Sequence, residues 1–77
     1  MITAYILIQT QAGRGSDVTR EVVRIEGVIS AEQVTGPYDV IVRAEAGTLD
    51  GLGQLVVNRI QAVEGISRTL TCPISRL

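Results

Sequence analysis

Histidine and lysine are absent from this chain of 77 residues, and cysteine occurs once. One cysteine excludes an internal disulfide, and one cysteine without histidine leaves no ligand set for a structural zinc site. A nucleophilic thiol needs a base and a partly exposed, electropositive site. Cys72 stands just before Pro73 at the end of a strand-like run, and it is expected to be buried or inert. No pair of carboxylates is set by spacing into a shared pocket. Neither catalysis nor a cofactor or metal is expected.

Long stretches of one character are missing too. Seven arginines and eight acids are spread along the chain for a net charge of −1. With no basic stripe, direct nucleic-acid binding and attachment to an anionic membrane are not expected. The apolar runs are short, and no charged-then-apolar N-terminal segment reads as a signal. Together with the lone cysteine, this gives the expectation of a soluble, cytoplasmic protein.

What is present is apolar surface, at 45% of residues. A chain this short forms one domain, residues 1–77, and buries only about 60% of its unfolded surface. Small domains offset such a marginal core with disulfides, metals or association. Association is the one route left.

Residues 2–9, "ITAYILIQ", are β-branched and aliphatic and too short for a helix, so they predict a strand. "TQAGRGS" predicts a loop, with Ser16 as N-cap and Asp17 in the first turn of a helix. "GRGS" would open that helix with free N–H groups, but it matches neither a P-loop nor a dinucleotide fingerprint. Val18, Val22 and Ile25 set the helix's apolar face, which stops before Gly27. Strands follow at 28–35 and 38–44, joined by a turn at Gly36-Pro37. Thr48 is placed to cap a second helix whose stripe is Leu49, Leu52, Val56, Ile60 and Val63. Gly51 and Gly53 inside it each cost about 1 kcal/mol against alanine, which close packing on the sheet would explain. Gly65 ends the helix, and "ISRTLTC" predicts a fourth strand.

The order β-α-β-β-α-β is an α+β, ferredoxin-like pattern. Right-handed crossovers make it a four-stranded antiparallel sheet ordered 4-1-3-2, with both helices on one face. The halves echo each other, since "RIEGVIS" and "AVEGIS" both run from helix through Glu-Gly into strand. Alternation assigns Ala4, Ile6, Ile8, Val40, Val42, Ile66 and Leu70 to the core. It leaves Tyr5, Leu7, Ile41, Thr69 and Thr71 on the open face, which is too apolar for full exposure. A second copy of the chain is the expected cover.

The stretch "VTGPYDVIV" at 34–42 asks for more than turn chemistry. Gly36 supplies backbone freedom and Pro37 a fixed φ. Neither accounts for Tyr38 and Asp39 at the mouth of an apolar strand, where an acid must be solvated, paired or bonded to backbone N–H groups. One reading has Asp39 accepting turn amides. The other is a ligand seat: backbone approach at Gly36, a wall and hydroxyl from Tyr38, and a counter-charge for an ammonium group from Asp39. The topology puts this turn at the same end of the sheet as Gly13–Asp17 and Glu64–Ser67. Ser67, Thr69 and Thr71 are predicted to project to one side of the fourth strand and to offer further hydrogen bonds between subunits.

"EQVTGPYDVIVRAEA", Leu52, Leu55 and "VVNRIQAVEGISRTLT" resemble the C-terminal effector (RAM) domain of the Lrp/AsnC family of leucine- and asparagine-responsive regulators. The most specific parts are the Thr35-Gly36-x-Tyr38-Asp39 turn, "NRIQ", and the Thr-x-Thr of strand four. The resemblance implies a βαββαβ fold, dimers formed through the sheets, and rings of dimers. It also implies a small amino-acid effector bound between dimers near the glycine-containing turn. Ligand contacts are thereby expected from Thr35, Gly36, Tyr38 and Asp39, with Ser67, Thr69 and Thr71 of strand four.

Full-length members carry a helix-turn-helix domain, whereas Met1 here leads directly into the first effector-domain strand. A stand-alone effector module and a trimmed regulator both fit that departure. The expected function is non-catalytic amino-acid sensing as a homo-oligomer, with full-length regulators as further partners to modulate. An ACT-like amino-acid-binding domain and a purely structural assembly partner are the alternatives from binding classes. A small ferredoxin-like enzyme using Arg14 or Arg43 with Asn58 is the rival from another class, but nothing in the sequence places those residues together.

Overall fold

The computed structural model describes residues 1–75. Strand β1 (Ile2–Thr10) leads to helix α1 (Gly15–Val22), then to strands β2 (Val28–Gln33) and β3 (Val40–Ala46). Helix α2 (Leu49–Leu55) runs on into a π-helical turn, Val56–Ile60, before strand β4 (Ile66–Pro73). The antiparallel sheet has the order β2-β3-β1-β4, as expected. No described helix is long and apolar enough to cross a membrane.

The core lies between the helices and one sheet face. Ile6, Ile8, Val40, Val42 and Ala44 from the two central strands meet Val18, Val22, Ile25, Val56 and Ile60 from the helical side. Residues paired across antiparallel strands share a face. The pairs Ile6↔Val42 and Ile8↔Val40 therefore fix the inner face, and Tyr5↔Arg43 and Leu7↔Ile41 fix the outer one. Tyr5 and Ile41 stay 41% and 36% exposed, and the Arg43 guanidinium lies over the Tyr5 ring, 5.7 Å from its centroid.

Strand β4 departs from the simple alternation. Gln9 pairs with Arg68 but Thr10 pairs with Ile66, so Ser67 is an extra residue on β4. A one-residue bulge moves every later side chain to the opposite face. Leu70, expected in the core, pairs with Leu7 on the outer face and is 47% exposed. Thr69 and Thr71, expected outside, pair with Ile8 and Ile6 and face the helices. Cys72 pairs with Tyr5 and is exposed rather than buried.

The repeated Glu-Gly sequence is structural. Gly27 and Gly65 both adopt φ +100°, a conformation that favours glycine. Each carbonyl accepts an amide 2.8 Å away, from Glu45 and Gln11 respectively. Each is followed by a register shift, at Ile29 in β2 and at Ser67 in β4.

The helix signals hold in part. Thr48 Oγ1 accepts the Gly51 amide at 3.0 Å, as an N-cap should. Helix α1 instead starts after Arg14 without a side-chain cap, so Ser16 lies inside the helix. Leu49, assigned to the buried stripe, is 62% exposed at the helix start. A Cβ on Gly51 would come within 3.2 Å of Thr48 Oγ1 and crowd the cap, whereas one on Gly53 would meet nothing within 4 Å. The cap thus explains Gly51, and close packing on the sheet explains neither glycine.

Candidate effector site at the end of the sheet

Asp39 is the joint between the connection 34–39 and strand β1. Its amide donates to Ile8 O at 2.8 Å, and its carbonyl accepts from Val34 N at 2.9 Å. Its carboxylate Oδ2 accepts the Thr10 amide at 2.8 Å. The β1–β3 ladder ends at Ile8↔Val40, so the carboxylate supplies the acceptor that β3 no longer offers Thr10. The acid does bond a backbone amide, but one from β1 rather than from its own turn.

The rest of the turn is tied down by two neighbours. Gln9 Nε2 donates to Pro37 O at 2.9 Å, and Ser67 Oγ donates to Gln9 O at 3.1 Å. Thr35, Gly36 and Pro37 are exposed, while Tyr38 and Asp39 are half-buried. Gly36 has φ +155°, and a Cβ there would meet nothing within 4 Å. Its lack of a side chain therefore serves backbone conformation, not packing.

Asp39 borders a cleft of about 220 Å³ whose other walls are Thr10, the 11–13 loop, Gly15, Ser16 and Gln33. Gln33 closes on Gly15, where a Cβ would lie 2.8 Å from its Nε2. The start of α1 and the α2–β4 junction meet each other, as Gln11 bonds Gly65 and Arg14 lies 3.7 Å from Glu64, and Gly15 and Ser16 share the Asp39 cleft.

Of the expected ligand residues only Asp39 lines this cleft; Thr35, Gly36 and Tyr38 adjoin it in sequence, and Ser67 reaches their turn through Gln9, which bonds Pro37. The structure separates Thr69 and Thr71, which the bulge turns into a groove beside Leu52, Val56 and Val57. Thr69 is already engaged there by Gln61 Nε2 at 2.8 Å. Gln9, Thr10 and Gln33 were not among the sequence candidates. Their signal was register: Val40 pairs with Ile8 on one side and Gln33 on the other, so the ends of β1 and β2 flank Asp39. Arg14, Arg43 and Asn58 are not assembled either. Arg43 is on the outer sheet face, and Asn58 lines a different surface hollow from Arg14.

Comparison with known proteins agrees with this architecture. A hypothetical protein from Pyrococcus horikoshii superposes with a TM-score of 0.89 at 34% identity, covering 100% of this chain and 93% of that one. A Neisseria meningitidis transcriptional regulator, solved as a complex with L-Met, shares the fold at TM-score 0.81 but only 14% identity, over 97% of this chain and 50% of its own. Among curated sequences, an uncharacterized HTH-type transcriptional regulator from Pyrococcus horikoshii is 28% identical over 72 residues, 90% of this chain. A homocitrate synthase from Sulfolobus acidocaldarius is 41% identical over 56 residues, 73% of this chain. The chain spans 48% of that regulator's length and 12% of the synthase's. The Lrp/AsnC ligand binding domain matches residues 3–76, and the chain belongs to that family.

Proposed function

We propose that this domain senses an amino acid at the cleft beside Asp39 and acts as a non-catalytic, oligomeric effector module in a cytoplasmic setting. The observation that carries the reading is the Asp39 carboxylate. Thr10 N–H engages Oδ2, and the carboxylate stands at an open cleft rather than in the core. A carboxylate has about four lone-pair sites, so one amide leaves capacity for an ammonium group. The family match supports a ligand-binding role, and the Neisseria complex shows an amino acid bound to a protein of this fold. A neighbouring subunit that met the exposed turn 35–37 would complete the seat. A bound effector would then shift the assembly state of the chain or of a full-length regulator sharing its interfaces.

A panel of the twenty amino acids in thermal unfolding tests this reading. A ligand at 100 times its Kd stabilises the native state by about 2.7 kcal/mol, so at least one amino acid should raise Tm in a concentration-dependent way. A flat response to all twenty would favour the second reading, a structural assembly partner in which Asp39 serves only to terminate β1. That second reading draws on the Thr10–Asp39 bond itself.

Oligomerisation is a separate expectation. Tyr5, Leu7, Ile41 and Leu70 make an apolar outer sheet face that no element among the described residues covers. Light scattering at micromolar concentration should give at least a dimer. A folded monomer there would remove the sheet-to-sheet contact from the proposal.

A further inference from the structure

Four of the seven arginines line one cleft of about 590 Å³ between α1 and the segment following α2: Arg14, Arg20, Arg24 and Arg59. The cleft lies apart from the Asp39 cleft and shares none of its lining residues. Its resident acids do not balance these cations evenly. Asp17 is divided between Arg14, at 3.5 Å, and Arg20. Glu64 is 3.7 Å from Arg14 but its side chain is 89% exposed, where an ion pair contributes little. Arg24 and Arg59 form no ion pair among the described residues.

Two further features mark the place. Arg14 Nε is buried without a hydrogen-bond partner, with Asp17 Oδ2 3.5 Å away. Such an orphaned donor is unfavourable unless something supplies an acceptor. Arg59 projects from the π-helical turn, a geometry that is rare and recurs at functional sites. The turn keeps Val56 and Ile60 in the core while Arg59 lines the cleft, which gives the "NRIQ" segment a use that the amino-acid site does not.

We propose that this cleft binds a compact polyanion of the phosphate or pyrophosphate class, with Arg24 and Arg59 as its principal ligands and the part-exposed Arg14 side chain beside them. A guanidinium presents a planar fork of donors that matches phosphate oxygens two at a time. Three carboxylates line the same cleft against four guanidinium groups, so selection there rests on bidentate hydrogen bonding more than on net charge. A ligand with two or more charges can engage both uncommitted guanidinium groups at once. Ala62 and Val63 give the site an apolar wall, and its openness to solvent makes the affinity fall as salt rises.

The test is calorimetric titration of the intact protein with inorganic pyrophosphate, against sodium chloride at matched ionic strength. Saturable binding is expected with pyrophosphate alone. Arg24→Gln and Arg59→Gln should each weaken it tenfold or more, and both positions are exposed, so the fold should tolerate the changes. Arg68→Gln, an equal loss of charge on the outer sheet face, should leave it unaltered. Absence of saturable binding, or the same weakening from all three variants, would show only diffuse charge attraction and overturn the proposal.

Discussion

Asp39→Ala is expected to weaken amino-acid binding by roughly ten- to more than a hundredfold. A hydrogen bond to a charged group is typically worth about 1.5–3 kcal/mol, and about 1.4 kcal/mol is a factor of ten. The same change removes the acceptor of the Thr10 amide, so the alanine variant should also lose stability. Asp39→Asn separates the two roles. Its side-chain carbonyl can still accept from Thr10, but it carries no charge for an ammonium group. Unfolding curves should place the asparagine variant near wild type, while calorimetric titration should show affinity lost as in the alanine variant. An asparagine variant that binds as wild type does would reduce Asp39 to a strand terminator.

The second large effect is expected at Gly65. Gly65→Ala forces a side chain into φ +100°, and its Cβ would lie 3.1 Å from Arg14 Cβ and 3.2 Å from Val18 Cγ2. Backbone strain of this kind costs about 1–3 kcal/mol. The two close neighbours sit at the packed start of α1, so relief there displaces the helix that borders the Asp39 cleft. A drop in the denaturant midpoint with an unchanged slope is the expected signature. Gly53→Ala provides the opposite case. Its site is helical, exposed and clear of neighbours, so alanine should stabilise by about 0.5–1 kcal/mol. If both substitutions destabilise equally, the distinction between a required and a dispensable glycine is wrong.

Why the fold could be read from the chain is clear from its elements. Alternation in β1 and β3, the spacing of Val18, Val22 and Ile25, and the Thr48 cap are local signals, each with one physical reading. Chain handedness then left a single sheet order, which is the one found. Of the candidate site, the Gly-Pro turn from Thr35 to Asp39 was legible as a turn because it is contiguous. The face of strand β4 was misread, because alternation counts residues and a bulge adds one.

The sequence alone therefore determined the element order, the sheet order, the inner faces of β1 and β3, and the presence of an unusual acid after a Gly-Pro turn. These follow from periodicity, chirality and residue chemistry, which act over a few neighbours. Tertiary structure decided what the acid touches, since Thr10 is 29 residues away and reaches it only through antiparallel pairing. It also decided that Thr69 and Thr71 face the helices and Leu70 faces outward, because Ser67 is extruded where β4 meets the end of β1. The approach of Arg59 to Arg14, Arg20 and Arg24, which lie along α1 and its ends, is likewise long-range, set by where the π-turn falls against that helix. Contacts between distant segments depend on register and packing, which no local window of sequence encodes.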